Sequence, residues 1–132
     1  MSNMSHDKGD VAIRVIAMPA DTNPDGDIFG GWLLGHMDLA AGSVATKLSR
    51  GRSVTVAVEA LSFLRPVKVG DEVSVYARLV KSGRSSMRIS VEAWRRPRWS
   101  QDEEQVTKAI FTFVAIGPDG QSRLLPEVLT TG

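Results

Sequence analysis

The chain has 132 residues, of which 42% are hydrophobic and 23% are charged, and these values fit one globular domain. Sixteen lysine and arginine residues nearly balance fifteen acidic ones, and the net charge of +1 argues against a nucleic-acid coat or a polybasic membrane binder. The chain has no cysteine and two histidines, which excludes disulfides, iron–sulfur clusters, cysteine nucleophiles and histidine-rich metal sites. No segment approaches the ~18 apolar residues of a membrane helix, and the polar N-terminus has no apolar signal core, so we expect a cytoplasmic protein.

The two ends of the chain are polar and carry no hydrophobic periodicity. We therefore predict a flexible tail over residues 1–10, a single folded domain over 11–123 and a second tail over 124–132. At the start of the domain, Val11–Met18 is rich in β-branched residues and predicts a strand. Residues 21–27 then concentrate aspartate, asparagine, proline and glycine, which predicts a long polar loop.

One helix pattern and four strand patterns follow the polar loop. Residues 30–49 have the apolar spacing and the length of a helix. Residues 54–64 form a nearly continuous apolar run, which is typical of a strand covered on both faces. Residues 73–79 and 87–93 alternate between apolar and polar side chains and predict half-buried strands, and 106–116 predicts the last strand.

The predicted order of elements is β-α-β-β-β-β. The connections between successive strands are short, which favours antiparallel neighbours. A single sheet must bury one face, and the helix is the only large element that can cover it. The sequence therefore predicts an α+β fold in which a curved antiparallel β-sheet wraps around one long central α-helix.

The predicted helix contains an aspartate on an unexpected side. Its polar stripe consists of His36, Ser43, Lys47 and Arg50. His36 is expected to be solvated there, whereas Asp38 falls about 200° around the wheel from it, among small and apolar residues. A buried carboxylate costs several kcal/mol unless it is paired or neutral, and no lysine or arginine lies three or four residues away. Asp38 is therefore either a core aspartate bonded to nearby backbone or a carboxylate kept in a cleft to handle a proton or a water.

Gly30 and Gly31 open the predicted helix. The first N–H groups of a helix are unpaired and carry the positive end of its dipole, so they can polarise a carbonyl or hold an oxyanion. Glycine at this point lets a ligand approach the backbone closely. A tight turn with packing glycines would have the same sequence, and the spacing alone leaves both interpretations open.

Four segments together carry a resemblance to a known family. They are Asp21–Trp32, Met37–Asp38, Val54–Glu59 and Gly83–Ser86. With the long pattern N-x₂-G-x₂-F-G-G-x₅-M-D, these segments resemble the YciA-type acyl-CoA thioesterases of the hotdog-fold superfamily. The resemblance extends from about Val11 to Arg123, which is nearly the whole predicted domain.

The resemblance implies a hotdog fold and a homo-oligomer. Such proteins form dimers through continuous sheets and commonly assemble further to hexamers. The substrate would be an acyl-CoA, hydrolysed to a free acid and coenzyme A. Thioester hydrolysis needs no metal and no cofactor beyond the coenzyme A of the substrate, and we expect no nucleic-acid or membrane partner.

The resemblance also implies roles for individual residues. Asp38 matches the catalytic carboxylate, which acts as general base on water or as nucleophile. Asn23 matches an asparagine that works across the dimer interface, and the backbone of Gly31, beside Gly30, would polarise the thioester carbonyl. The loop that would help to bind coenzyme A consists of Gly83, Arg84, Ser85 and Ser86. The planar guanidinium of Arg84 suits a phosphate, although this segment taken alone is also typical of a plain loop.

Two other classes of function stay open from the sequence. A non-catalytic acyl-CoA sensor on the same fold would keep Arg84 and lose the base, and the presence of both Asp38 and Asn23 counts against it. RNA binding through Trp94–Trp99, where cations alternate with aromatic residues, is the second alternative. An exposed hairpin end would have the same composition.

Overall fold

The computed structural model describes residues 8–127, so residues 1–7 and 128–132 of the two predicted tails lie outside the described residues. The elements are β1 (Asp10–Ile16), one turn of 3₁₀ helix (Pro19–Asp21), α1 (Gly30–Ser49), β2 (Ser53–Phe63), β3 (Glu72–Ser82), β4 (Ser86–Arg96) and β5 (Glu104–Ala115). This order confirms the predicted one, with the 3₁₀ turn as an addition. No helix within residues 8–127 is both long and apolar enough to cross a membrane.

The five strands form one antiparallel sheet with the strand order β1-β3-β4-β5-β2. β3, β4 and β5 are joined by short connections and lie side by side. β2 follows α1 in sequence but lies beside β5, at the far edge of the sheet. The sheet curves around α1, as predicted, and this is the hotdog architecture.

The core lies between α1 and the inner face of the sheet. The helix buries Leu33, Met37, Ala40, Ala41 and Ala45. Three alanines among these residues let the helix approach the sheet closely. β4 alternates between buried and half-buried residues along most of its length, as its period of two predicts.

The outer face of β3 differs from the prediction. Ser74 and Tyr76 were expected on the half-exposed side of the strand but are only 0% and 7% exposed. Arg14 Nε donates a 2.8 Å hydrogen bond to Ser74 Oγ, and the Lys8 ammonium lies 4.6 Å from the Tyr76 ring centroid. Burial, and then the hydrogen bond to Glu103, raises the pKa of Tyr76. Packing therefore begins at Lys8, inside the segment that was predicted to be a tail.

The C-terminal segment is anchored to the end of α1. The Arg123 guanidinium donates to the backbone carbonyls of Ser49 at 3.0 Å and Arg52 at 3.2 Å. A cation suits this position because the C-terminus of a helix carries unpaired carbonyls and the negative end of the dipole. Leu125 is buried, and its N–H donates to the carbonyl of Arg84 at 2.8 Å. The packed structure thus continues past residue 123.

β2 is an edge strand, and its apolar side chains are exposed. Val54, Val56, Val58, Leu61 and Phe63 are between 39% and 55% exposed. The expectation that both faces of this strand are covered is therefore wrong for the single chain. β2 pairs with β5 along one side only, so its other side carries unpaired backbone groups.

Ala60 in β2 has a strained backbone conformation, which a substitution can test. Ala60 has a φ of 57°, at an irregularity between Glu59 and Ser62 where the register with β5 shifts. Alanine in this left-handed region costs about 1 kcal/mol, and glycine avoids the cost. We expect Ala60→Gly to raise the free energy of unfolding by about 0.5–1 kcal/mol in urea denaturation, and Ala57→Gly in the same strand to lower it by a similar amount. Equal destabilisation by both substitutions would contradict the strain.

Candidate active site

A groove runs between α1 and the edge strand β2. Gly31, Gly35, Asp38 and Gly42 face it, since residues three and four apart lie on one side of a helix. A Cβ added at Gly31 or Gly35 would meet nothing within 4 Å outside the local helix backbone. These two glycines therefore leave open space on the N-terminal side of Asp38, whereas a Cβ at Gly42 would contact the Phe113 ring at 3.6 Å.

Asp38 lies at the centre of this groove and is half-buried. Thr55 Oγ1 of β2 donates a 2.6 Å hydrogen bond to Asp38 Oδ1. Among residues 8–127 no donor reaches Asp38 Oδ2, so one carboxylate oxygen is fixed and the other is available to a ligand or a water. The partner of Asp38 is thus a side chain on another element, not the nearby backbone that a core aspartate was expected to use.

Thr55 is the site residue that sequence reasoning missed. It pairs in the sheet with Phe113 of β5, whose ring is buried, and this register turns the threonine hydroxyl toward α1. The available signal was a polar residue within the apolar run 54–64, inside one of the segments that carry the family resemblance. The run is otherwise apolar, and the strand was expected to be covered on both faces, so Thr55 was not considered as a site residue.

Two clefts meet at Asp38 and Thr55, and their linings differ in chemistry. The apolar cleft, of about 380 Å³, extends toward the N-terminus of α1 and is also lined by Gly31, Leu34, Gly35, Val58 and Phe111. The polar cleft, of about 560 Å³, extends toward the C-terminus of α1. Its further lining consists of the apolar Leu39 and Phe113 together with Gly42, Ser43, Thr46, Lys47 and Ser53, and the last four make it the more polar of the two.

Gly30 and Gly31 form the N-terminus of α1, and it is open. The N-cap residue is Phe29, which makes no side-chain cap hydrogen bond. Within the described part of the chain, the N–H groups of Gly30 and Gly31 have no acceptor, whereas Leu33 N–H donates to the carbonyl of Phe29 at 3.3 Å. Gly31 and Asp38 line the same apolar cleft, so the structure brings these two predicted residues together. Gly30 lies in an adjoining cleft of about 350 Å³.

Asn23 is placed in the loop before α1, apart from Asp38. Its side-chain Oδ1 accepts hydrogen bonds from the N–H groups of Asp25 at 2.9 Å and Asp27 at 3.1 Å, which closes an Asx turn. Asp27 in turn forms a 2.5 Å ion pair with Lys68, so the loop is held on the side of the β2–β3 connection. Asp38 lies eight residues into the helix, about 12 Å along its axis. The single chain therefore does not bring Asn23 to the carboxylate, and the Asn23 amide nitrogen has no acceptor within residues 8–127.

The predicted coenzyme A loop, Gly83–Ser86, lies near the far end of the polar cleft. The Ser85 carbonyl accepts a 2.8 Å hydrogen bond from Ala115 N–H, and Ala115 pairs with Ser53. Because Ser53 lines the polar cleft, the loop is two strand spacings, about 10 Å, from it. The Arg84 side chain is exposed and makes no ion pair within residues 8–127.

His36 differs from its prediction as a solvated residue. It is half-buried, its ring centroid lies 4.5 Å from that of Trp32 in an edge-to-face contact, and its buried Nδ1 has no partner among residues 8–127. The side of α1 that is exposed is the one that faces the groove, not the side that carries His36. Leu39, on the groove side, is 65% exposed. The reason is that β2, at the sheet edge, leaves this side of the helix uncovered.

The segment Trp94–Trp99 does not form the predicted alternative, an RNA-binding stripe. The Lys8 ammonium covers the Trp94 ring at 3.7 Å from its centroid. Arg95 and Arg96 form ion pairs with acidic side chains of the sheet and its loops. Trp99 is 87% exposed at the hairpin tip, where the Arg98 guanidinium lies 4.9 Å from its ring centroid, and a single exposed ring makes no stacking platform for successive bases.

The comparisons with known proteins agree with this geometry. The family model of the Thioesterase superfamily matches residues 25–98. An uncharacterized acyl-CoA thioester hydrolase of Zymomonas mobilis is 53% identical over 93% of this chain and 83% of its own length. The acyl-CoA thioester hydrolase YciA of Escherichia coli is 48% identical over 90% of this chain and 92% of its own. The crystal structure of a hexameric thioesterase from Yersinia pestis superposes with a TM-score of 0.87 at 46% identity, over 90% of this chain and 97% of that one. The chain belongs to the hotdog-fold thioesterase superfamily, in which it is similar to the YciA-type acyl-CoA thioester hydrolases.

Proposed function

We propose that the protein is an acyl-CoA thioesterase, which hydrolyses an acyl-CoA to a carboxylic acid and coenzyme A. The observation that carries the proposal is Asp38, whose free carboxylate oxygen faces a groove shared with the open backbone N–H of Gly31. A thioester is already activated, so its hydrolysis needs a placed water, a base and a donor to the carbonyl oxygen. The relatives named as acyl-CoA thioester hydrolases support the same activity.

The proposed chemistry assigns one role to each group. Thr55 holds Asp38 Oδ1, and Asp38 Oδ2 takes a proton from a water that attacks the thioester carbonyl carbon. The oxyanion of the tetrahedral intermediate is stabilised by a Gly31 N–H at the positive end of α1. Because Gly31 of the same chain lies seven residues from Asp38, about 10.5 Å along the helix axis, we assign this N–H to the α1 of a second copy. Collapse of the intermediate breaks the carbon–sulfur bond, and the coenzyme A thiolate takes up the proton. Direct attack by the Asp38 carboxylate on the carbonyl fits the same arrangement.

The edge strand β2 supports a homo-oligomer. A second copy that pairs its own β2 with this one would cover the exposed valines and continue the sheet across a twofold axis. We propose this dimer and its assembly to a hexamer, the state named for the thioesterase of Yersinia pestis. In the dimer, the Asn23 amide of one protomer would complete the site around Asp38 of its partner.

A thiol-release assay over acyl-CoAs of increasing chain length tests the proposal. The mechanism uses no metal, so chelator-treated protein should keep its rate. Loss on chelation with recovery by a divalent ion would contradict the metal-free mechanism. The alternative, a non-catalytic acyl-CoA sensor, would bind acyl-CoA without releasing thiol.

The cytoplasmic location expected from the sequence stays a prediction.

Removal of the carboxylate should abolish most of the activity. We expect Asp38→Asn to lower kcat by about two or more decades, the scale of a lost general base. Thr55→Val, which keeps the side-chain shape and removes the hydroxyl, should lower kcat by about tenfold, because Asp38 loses its fixed orientation. Ser43→Ala, in the same polar cleft without a bond to Asp38, should stay within about twofold of the parent. A folded Asp38→Asn variant with the parental rate of thiol release would contradict the role of Asp38.

The composite site is tested by hybrid dimers. Asp38→Ala and Asn23→Ala homo-oligomers should each lose about two or more decades in kcat. When the two variants are unfolded and refolded together, each hybrid dimer should contain one site with both substitutions and one intact site. About half of the dimers are hybrids at equal random mixing, so the rate should recover to roughly a quarter of the parental rate. Hybrids that are present but inactive would show that both residues act within one chain, or that one is only structural.

Arg84 is tested with a truncated substrate. If its guanidinium holds a phosphate of coenzyme A, Arg84→Ala should raise KM more than it lowers kcat. A short acyl-pantetheine, which lacks the nucleotide, should be hydrolysed equally by the parent and the variant. Equal damage to both substrates would show that Arg84 acts on the structure alone.

A further inference from the structure

A buried ammonium group lies on the outer face of the sheet, on the side away from α1. Lys8 precedes β1 and is only 8% exposed. Its ammonium nitrogen lies 3.7 Å from the centroid of the Trp94 ring, 4.6 Å from that of the Tyr76 ring and 3.4 Å from Glu103 Oε1. A lysine is almost never buried to this degree unless its charge is paired, and here two aromatic faces and one carboxylate surround it. We call Tyr76, Trp94 and Glu103 the ammonium cage.

The walls of the ammonium cage are held by contacts that do not involve the cation. The Tyr76 hydroxyl donates a 2.9 Å hydrogen bond to Glu103 Oε1, which orients the carboxylate. Trp94 Nε1 donates to Glu92 Oε1 at 2.9 Å, and Gln105 Nε2 donates to the same oxygen at 3.3 Å. Tyr76 and Glu92 are also direct partners in the pairing of β3 with β4. The sheet therefore preorganises the cage, and preorganisation lowers the cost of binding a ligand there.

The chain delivers Lys8 to the cage through a glycine. Gly9 has a φ of 91°, and a Cβ at this residue would lie 2.8 Å from both the Ala77 carbonyl oxygen and Arg78 Cβ. The left-handed φ and the close contacts with β3 leave no room for a side chain at residue 9. Only Gly9 separates Lys8 from the start of β1 at Asp10. A group held by so short a linker competes with free ligands at an effective concentration on the order of millimolar or more.

We propose that the ammonium cage is a binding site for linear primary alkylammonium ions, in which Lys8 acts as a tethered competitor. The aromatic faces attract any cation, whereas the Glu103 carboxylate accepts an N–H, which a primary ammonium offers and a quaternary one lacks. n-Butylammonium has the four carbons and the charged end of a lysine side chain, so it is the free ion of matching shape. The cage lies across the sheet from the groove, and this inference goes beyond the proposed function.

The other interpretation of these contacts is an ordinary ion pair between Lys8 and Glu103. In that case salt screens the pair according to ionic strength alone, and the two rings add nothing to the affinity. The two interpretations separate when Lys8 is truncated and cations of different chemistry are added at one ionic strength.

The test measures the midpoint of thermal unfolding, Tm, of the full chain with added chloride salts. We expect Lys8→Ala to lower Tm by about 4 °C. n-Butylammonium chloride at about 50 mM should restore most of this loss, if its dissociation constant has the millimolar scale of one charged hydrogen bond with two cation–π contacts. Sodium chloride and tetramethylammonium chloride should restore less than about half as much. The parent should respond to n-butylammonium only at concentrations at least about tenfold higher, because Lys8 competes.

A matched control and a wall variant define the site. Lys81→Ala truncates an exposed lysine on the same strand as Tyr76, five residues and about 17 Å farther along, and should respond to each salt as the parent does. The double variant Lys8→Ala/Trp94→Leu lacks one ring of the cage, so n-butylammonium should stabilise it no more than sodium does.

Thiol release from acetyl-CoA by Lys8→Ala should stay within about twofold of the parental rate, since the cage is separate from the groove. Equal responses of Lys8→Ala to n-butylammonium and sodium would overturn the ammonium site, and so would a specific response that survives the loss of Trp94. A parent protein that releases no thiol would overturn the proposed function instead, while the Tm values would still judge the cage.

Discussion

The hydrogen bond between Thr55 and Asp38 joins the helix to the edge strand, and the groove around it depends on that contact. A carboxylate on the inner side of α1 is costly unless water or a partner reaches it. Thr55 supplies one partner at 2.6 Å, and the open groove leaves the second oxygen accessible. Gly31 and Gly35 keep the space on the N-terminal side of Asp38 open. The same features that make the carboxylate tolerable in this position also make it available for chemistry.

The strand order explains why such a groove exists. Because β2 crosses to the far edge of the sheet, the helix is covered by the central strands on one side and faces an edge strand on the other. The chain is thereby left with exposed valines on β2 and an exposed Leu39 on α1. A second copy would cover these apolar side chains and close the groove, so assembly and catalysis share one surface in the proposed mechanism. The two clefts then become the two arms of a channel that meets at Asp38.

The sequence alone predicted the order of the elements, the bounds of α1 and the unusual position of Asp38, because these follow from local spacing and periodicity. It did not predict that β2 lies at an edge, since an apolar run has the same composition when its cover comes from another chain. Thr55 was not identified as a site residue for the same reason, because it lies within that apolar run. Tyr76 and His36 were also predicted to be more exposed than they are. Lys8 packs on Tyr76 and Trp32 packs on His36, and hydrophobic periodicity carries no information on such contacts. The expectation that Asn23 acts beside a partner's Asp38 came from the helix rise, which puts Asp38 about 12 Å from the start of α1, together with the resemblance, and it stays a prediction.

In the proposed mechanism, the groove becomes an active site only when a second copy closes it. The most direct test is the rate of thiol release from acetyl-CoA by Val56→Lys, measured on samples whose mass is determined by sedimentation. Val56 is 55% exposed in the protomer, so the lysine costs the fold little but places a charge in the proposed strand pairing. We expect a folded monomer whose rate of thiol release is lower by about two decades or more. A folded monomer with the parental rate would contradict it.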